Sequence, residues 1–244
     1  WADFTAIHTE VLGAEAAYGS QSTARNAREV VLRMVVDHRD AKALDVFALE
    51  LGSVGLSFAQ GTTGLIGGRP KATPVVRLFS FLIEKARLRS PTIQVGSSPV
   101  LDVEVHTGGM APDQFAHQSG RAEDSSPDTV DGPLIDVPLL SVAHARSGDK
   151  GNSSNIAIFC RKPEYMSHMR SVLTAGRLAS HFMEQVGGPV LRYEVPGLAA
   201  FNFLLLDALG GGGMASRRLD AQGKAYGQRA LEMRIPVPVS WGIS

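Results

Sequence analysis

The first part of the chain shows strand-like runs around one helical pattern. Residues 28–36 are rich in β-branched side chains and predict a strand. Apolar residues recur at helical spacing over 40–51, with Asp40 placed to cap the helix. Residues 74–83 predict a buried strand, and residues 100–106 predict a strand that alternates apolar and polar positions. A helix between strands predicts a small α/β sandwich unit.

The second part also combines predicted strands and helices, and it has more of them. Strands are predicted from β-branched or alternating runs at 138–145, 155–160, 190–195 and 234–239. Helices are predicted from Pro163 onward and over 175–186, 198–209 and 220–233. The sequence therefore predicts an α+β fold of two small α/β sandwich units, of which the second is ferredoxin-like.

Residues 107–134 separate the two parts. Gly, Pro, Ser and Asp dominate this segment, and its apolar periodicity disappears. It carries one basic and five acidic side chains, a net charge of −4. We interpret it as an acidic, mobile linker between units at 1–106 and 135–244.

The composition excludes several classes of protein. Hydrophobic residues make up 44% and charged residues 20% of the 244 residues, so the chain is not disordered throughout. It lacks an apolar run of about 18 residues, and its one cysteine, Cys160, excludes an internal disulfide framework. We therefore expect a cytoplasmic protein with no membrane partner. The sequence begins at Trp1 without the pattern of a signal peptide, which favours a processed product or a piece of a longer protein.

The charge distribution favours a small anionic ligand. The chain as a whole has a formal net charge of zero, whereas residues 135–244 carry 12 basic and 8 acidic side chains, a net charge of +4. This excess is too small to predict nucleic-acid binding, and no stripe of alternating aromatic and basic residues accompanies it.

The polar segment between the predicted strands at 138–145 and 155–160 is the first candidate site. Its glycines allow backbone N–H groups to face a ligand, and its cations and amides add donors, which is typical of an anion nest. The predicted ligand-binding residues here are Arg146, Ser147, Gly148, Lys150, Gly151, Asn152 and Asn155. On local evidence alone, a polar hairpin with an internal ion pair is the more frequent explanation.

Glycine-rich segments form the second group of candidates. Four consecutive glycines at 210–213 exceed what a helix cap needs, so Gly211 and Gly212 are predicted to approach a ligand or another chain closely, with Ser216 beside them. A flexible connector explains the same run about equally well. A further glycine loop at 60–70 has two interpretations of about equal weight. One is an ordered binding or interface loop, and the other is a surface loop without a binding role.

Candidate acid–base groups are few. If the protein is catalytic, His144 and Asp149 lie nearest the anion loop and would serve as acid and base. Neither His144 nor His181 has histidine or carboxylate neighbours at metal-ligand spacing, and no nucleotide or hydrolase motif is present, so neither a metal nor a cofactor is predicted.

Long stretches of the second part resemble a known family. HARSGDKGNSSNIAIFCRKPEY, HFMEQVGGPVLRYEVPGLAAFNFLLLDALGGGGMASRRLDAQGKA and IPVPV resemble the ferredoxin-like C-terminal domain of the acyclic terpene utilisation (AtuA) family. EVVLRMVVDHRDAKALDVFALEL and the loop 61–68 resemble the last portion of the family's large domain. That domain is far longer than 1–106, so the resemblance implies that these residues are only its end.

The resemblance implies a role in the breakdown of citronellol- or geraniol-like compounds, which proceeds through branched acyl-CoA thioesters. Our first hypothesis is therefore a protein that binds an acyl-CoA or related anionic intermediate through Arg146–Asn155, with or without a catalytic step. The second hypothesis is a non-catalytic assembly or interaction domain, acting as a homo-oligomer or as a subunit of a larger complex.

Overall fold

A computed structural model describes residues 3–24, 26–104 and 132–243. The strands are β1 (Ala6–Leu12), β2 (Val31–Asp37), β3 (Thr92–Ile93), β4 (Leu101–Asp102), β5 (Leu134–Pro138), β6 (Ala143–Lys150), β7 (Ser153–Cys160), β8 (Val190–Val195), β9 (Ala200–Leu205) and β10 (Arg234–Pro238). The α-helices are α1 (Ala41–Ser57), α2 (Met166–Val172), α3 (Ala175–His181) and α4 (Tyr226–Leu231). None of the helices in the described ranges has the length and apolar content that a membrane crossing requires.

A four-stranded antiparallel sheet is the centre of the second part. Its strand order is β6-β7-β9-β8, and a separate antiparallel pair joins β5 to β10. Helix α4 packs against β6 and α3 packs against β8. This mixture of helices and small antiparallel sheets confirms the α+β class.

Alternation along the strands gives the sheet one buried face. Ile156 and Ile158 of β7 and Phe201, Phe203 and Leu205 of β9 have relative exposures of 0% and form the core with the helices and the β5–β10 pair. The intervening side chains point to the opposite face. The helices and the β5–β10 pair pack on the buried face, and we call the opposite face the open face. Its side chains are those of His144, Arg146, Lys150, Ser153, Asn155, Ala157, Phe159, Leu191, Tyr193, Val195, Asn202 and Leu204.

Residues 198–209 are not a helix, and this prediction was wrong. A turn of 3-10 helix ends at Leu198, and Ala200–Leu205 form the interior strand β9. A short run that is apolar on every side is compatible with a buried helix or a buried strand, because periodicity alone does not separate them. Here Ala200–Leu205 pair with β7 on one side and with β8 on the other, and this pairing stabilises the strand.

Several other boundaries also differ from the prediction. The predicted strand 138–145 is broken by 3-10 helix at Leu139–Ser141, and β6 extends to Lys150. The predicted helix 175–186 stops at His181, and only Tyr226–Leu231 of 220–233 is α-helical. The carboxylate of Asp220 accepts from the N–H groups of Lys224 and Ala225, so Asp220 fixes the turn before α4.

The first part contains a hairpin and a helix. Strands β1 and β2 pair antiparallel from Ala6↔Asp37 to Leu12↔Val31. Asp40 caps α1 as predicted, accepting from the N–H of Lys42. The predicted buried strand 74–83 is wrong: it has no regular structure, and Leu82 is 96% exposed. Its apolar residues lack a pairing strand within the described residues.

The predicted linker is only partly covered by the described residues. Residues 107–131 lie outside them, and Leu134 already belongs to β5. The division into units at 1–106 and 135–244 stays a prediction.

The N-terminal hairpin contacts the second part directly. Arg217 donates to the carboxylate of Asp37 at 2.8 Å, and Arg33 donates to the carbonyl of Arg217 at 2.7 Å. The N–H of Leu219 donates to the carboxylate of Glu10 at 2.9 Å. Burial raises the pKa of Glu10, but the bonds from Leu219, His8 and Arg33 outweigh it and hold the pKa below its usual value.

Arg229 is the buried centre of this junction. Its side chain is 1% exposed, and its guanidinium donates to the carbonyl of Ala17 and to the side-chain oxygens of Gln21 and Gln185 at 2.9–3.1 Å. It also lies 4.9 Å from the ring centre of Phe182. The acceptors at Ala17 and Gln21 come from the N-terminal segment, so the buried cation ties that segment to α4.

Replacing Arg229 by methionine tests this junction. Arg229→Met keeps an apolar stem but leaves three part-buried acceptors without their donor, and we expect a loss of about 2–4 kcal/mol in the free energy of unfolding. The matched control is Arg217→Met, which removes a half-exposed ion pair with Asp37 and should cost less than about 1 kcal/mol. Chemical denaturation measures both, and equal losses would contradict a special role for Arg229.

His181 makes the same junction sensitive to pH. Burial lowers the pKa of His181. In the neutral imidazole, Nε2–H donates to the carbonyl of Arg229 at 3.0 Å, which leaves Nδ1 to accept from the Gln21 amide at 3.3 Å. The unfolded chain, with a pKa near 6.5, therefore takes up the proton first, and protons favour unfolding below that pH.

We expect the free energy of unfolding to fall between about pH 7.5 and about pH 5.5, and to fall less in His181→Gln. Denaturant titrations of both proteins across this range measure the difference. If the free energy of unfolding depends on pH equally in both proteins, His181 does not contribute to the pH dependence.

Candidate functional site

The predicted anion loop is a tight hairpin. Strand β6 runs on to Lys150, Gly151 and Asn152 form the turn, and β7 starts at Ser153. Arg146 pairs with Ala157, and Lys150 pairs with Ser153. The segment is therefore strand and turn, and the predicted loop over 146–154 is wrong. Because β6 is an edge strand with one neighbour, about half of its backbone groups pair with β7 and the others point away from the sheet. Of the two glycines expected to have positive φ, only Gly151 does, at 66°.

The hairpin sends the predicted residues to two different faces. His144, Arg146 and Lys150 lie on the open face, whereas Ser147 and Asp149 face the segment around α4. His144 Nε2 lies 3.1 Å from a guanidinium nitrogen of Arg161, and Asp149 lies 3.8 Å from Lys224 Nζ. The structure thus does not bring His144 and Asp149 together as an acid–base pair.

Ser147 fastens α4 to the sheet. Its hydroxyl donates toward the carbonyls of Gly223 and Lys224, at 2.6 Å and 3.1 Å, and accepts from the N–H of Gly227 at 2.7 Å. A Cβ on Gly227 would lie 3.1 Å from the nitrogen of Ser147, so glycine permits this close approach. The hydroxyl of Ser147 is therefore occupied by protein groups.

Asn152 joins the hairpin turn to the glycine run. Its side-chain oxygen accepts from the N–H of Gly211 at 2.6 Å, and its amide donates to the carboxylate of Asp207. Its carbonyl accepts from the N–H groups of Ala208 and Leu209 at 3.0–3.1 Å. Asn152 is thus a positioning residue at this end of the sheet.

The glycine run packs against the hairpin turn, so the two predicted segments are neighbours. Gly210, Gly211 and Gly212 have φ of 63°, 111° and 85°. A Cβ on Gly212 would lie 2.8 Å from the carbonyl oxygen of Gly151. This packing requires glycine at these positions even when no ligand is bound. The run is therefore an ordered segment rather than a flexible connector. Ser216 closes the following turn, because its N–H donates to the Gly212 carbonyl.

The open face combines three kinds of side chain. Its edge strand β6 presents His144, Arg146 and Lys150, and no ion pair or hydrogen bond joins the Arg146 or Lys150 side chain to another described residue. Behind this cationic edge, the Asn155 amide donates to the Asn202 side-chain oxygen at 3.3 Å. The far half is apolar and half-buried, with Leu191, Tyr193, Val195 and Leu204 as its members.

Sequence reasoning missed half of this face. Asn202 and Leu204 were not predicted as site residues because 198–209 was interpreted as a helix, and Tyr193 was missed although its strand was predicted. The available signal was the polar Asn202 between Phe201 and Phe203, which alternates as a strand with one buried face does.

The cavity beside the N-terminal hairpin is less suited to an anion than the open face. A cavity of about 370 Å³ lies between the N-terminal hairpin and the second part, and its lining includes four carboxylates, those of Glu10, Glu15, Glu184 and Asp220. Among the described residues, no group of three or more His, Cys, Asp or Glu side chains is arranged to hold a metal ion.

Two family models match the chain. The AtuA ferredoxin-like domain matches residues 137–236, and the acyclic terpene utilisation family protein AtuA matches residues 1–93. The chain belongs to the AtuA family. The ferredoxin-like match covers the four-stranded sheet with the open face, and the AtuA match covers the N-terminal hairpin and α1. No curated protein and no solved structure matches the chain.

The glycine run yields a direct test of this AtuA-family geometry. We expect Gly212→Ala to lower the free energy of unfolding by about 1–3 kcal/mol, because the new Cβ meets the Gly151 carbonyl and φ is positive. Gly213→Ala is the matched control: its φ is not positive and the nearest atom is 3.4 Å away, so the change should stay within about 0.5 kcal/mol. Denaturation curves compare the two, and a neutral Gly212→Ala would indicate a loose connector.

Proposed function

We propose that this AtuA-family chain binds a branched acyl-CoA or a related anionic acyl intermediate on the open face. The observation that carries the proposal is the order of side chains across the sheet: cations on β6, amides in the centre and apolar groups on β8 and β9. An acyl-CoA has the same order of groups, namely phosphates, a thioester carbonyl and a hydrocarbon chain.

The cationic edge would hold the phosphate groups. Arg146 and Lys150 are exposed and lie about 13 Å apart along the strand, at about 3.3 Å per residue. They have no carboxylate partner among the described residues, so their charges remain available to a ligand. Arg146 supplies a fork of donors that matches phosphate oxygens, and Lys150 supplies a point charge.

The central amides would recognise the carbonyl. Asn155 uses one amide hydrogen on the Asn202 oxygen, which directs the Asn202 amide nitrogen away from that bond. Two polar side chains placed between apolar neighbours need partners once a ligand covers them. A thioester or carboxylate oxygen would accept from the amide of Asn202.

The apolar half would hold the hydrocarbon chain. Leu191 pairs with Leu204 and Tyr193 with Asn202, so β8 and β9 form one continuous patch. These side chains are half-buried at present. Covering them with a branched chain would remove further apolar area from water, at about 25 cal/mol per Å².

The open face supports binding more directly than catalysis. His144 lies on it, beside Arg161, whereas Asp149 lies on the other side of β6. The proposal therefore assigns binding to Arg146, Lys150, Asn155 and Asn202 and positioning to Asn152 and Gly212. It includes no chemical step.

One observation favours a second function, as an assembly domain. The segment 74–83 exposes large apolar side chains, with Leu78 at 75%, Phe79 at 83% and Leu82 at 96%. Exposed apolar groups at this density are typical of interaction surfaces. An assembly domain would show a mass above one chain in light scattering and no affinity for acyl-CoA.

Charge removal from the edge strand tests the acyl-CoA proposal. By calorimetry with a branched-chain acyl-CoA at fixed salt, we expect Arg146→Ala and Lys150→Ala each to weaken binding by about 1.5–3 kcal/mol, because each removes a charge-assisted contact. The matched control is Arg39→Ala, which removes an exposed arginine outside the four-stranded sheet. This control should bind normally.

Two outcomes would contradict the proposal. One is an absence of measurable binding to the unaltered chain. The other is an equal loss in Arg39→Ala and Arg146→Ala, which would indicate general charge attraction.

A further inference from the structure

A second concave site lies in the helical layer, where α3 and β10 meet the N-terminal segment. Its volume is about 350 Å³. Its lining residues are Gln21, Arg177, Ser180, His181, Met233 and Arg234. The lining includes two guanidinium groups and no carboxylate, the reverse of the acidic cavity beside β1.

Both arginines are held at the cavity by backbone carbonyls. Arg177 lies in the first turn of α3, whose cap is Thr174, and its guanidinium donates to the carbonyl of Arg234 at 3.1 Å. Arg234 in turn donates to the carbonyl of Asp136. A guanidinium has five N–H donors, so these bonds orient each group and leave most of its donors unused. Neither group pairs with a carboxylate of the described residues.

The inner wall is polar and neutral. The amide of Gln21 donates to the His181 carbonyl at 2.7 Å and lies 3.3 Å from His181 Nδ1. Burial lowers the pKa of His181, so the imidazole is uncharged at neutral pH. The positive charge of the cavity therefore comes from the two arginines, and the exposed hydroxyl of Ser180 adds another donor at the rim.

We propose that this cavity is a binding site for a phosphate-bearing small molecule, with Arg177 and Arg234 on either side of the phosphate. Two neighbouring guanidinium groups without a counter-ion repel each other, and a phosphate dianion removes that repulsion. Several oxygens on one tetrahedral centre match two planar forks and a hydroxyl better than the two oxygens of a carboxylate do. The site involves none of the open-face residues, so it does not depend on the acyl-CoA proposal.

The probe is inorganic pyrophosphate, added to the full chain at constant ionic strength and followed by calorimetry. We expect saturable binding that Arg177→Gln and Arg234→Gln each weaken by about tenfold or more, because each removes a charge-assisted contact. Arg39→Gln is the matched control, since it removes an exposed arginine outside the cavity and should bind normally. Ser180→Asp places a carboxylate at an exposed position of the rim, where folding should tolerate it, and should abolish binding.

The outcomes separate this site from its alternatives. An equal loss in Arg39→Gln, or full binding in Ser180→Asp, would overturn the proposal in favour of general charge attraction. Acetate binding as tight as pyrophosphate binding would overturn the choice of phosphate. Pyrophosphate binding that Arg146→Ala weakens, and that Arg177→Gln and Arg234→Gln leave unchanged, would place the anion on the open face instead.

Discussion

Every functional feature of the ferredoxin-like sheet depends on the alternation of side chains along its strands. Because the helices and the β5–β10 pair bury one face, every second residue of β6 to β9 must point to the other. Ser147 and Asp149 face α4 for this reason, whereas Arg146 and Lys150 face outward. A shift of the register by one residue would exchange these roles.

The hairpin turn and the junction hold this arrangement in place at different points. Asn152 bonds to Gly211 and to Asp207, so the β6–β7 turn and the glycine run fix each other. Arg229 bonds α4 to the N-terminal segment, and α4 lies on β6 through Ser147. The match to the AtuA model over residues 1–93 and the match to the ferredoxin-like model therefore belong to parts that contact each other.

The sequence predicted the local features that depend on neighbouring residues. The Asp40 cap, strand β8 and the helical start at Pro163 are examples, because capping, alternation and the fixed φ of proline act within a few residues. The predictions were wrong where pairing with strands that are distant in the sequence determines the local structure. Residues 198–209 became a strand through β7 and β8, and residues 146–150 became strand through β7. The consequence was a predicted site on two loops, 146–155 and the glycine run, whereas the candidate site spans four strands.

The position of a bound acyl-CoA tests the central claim most directly. In amide-resolved NMR of the full chain, titration with a branched-chain acyl-CoA should perturb the side-chain amides of Asn155 and Asn202. The backbone amides of β6 and β8 should move with them at the same dissociation constant. Perturbation confined to α4, or to the cavity between Arg177 and Arg234, would contradict an acyl site on the open face.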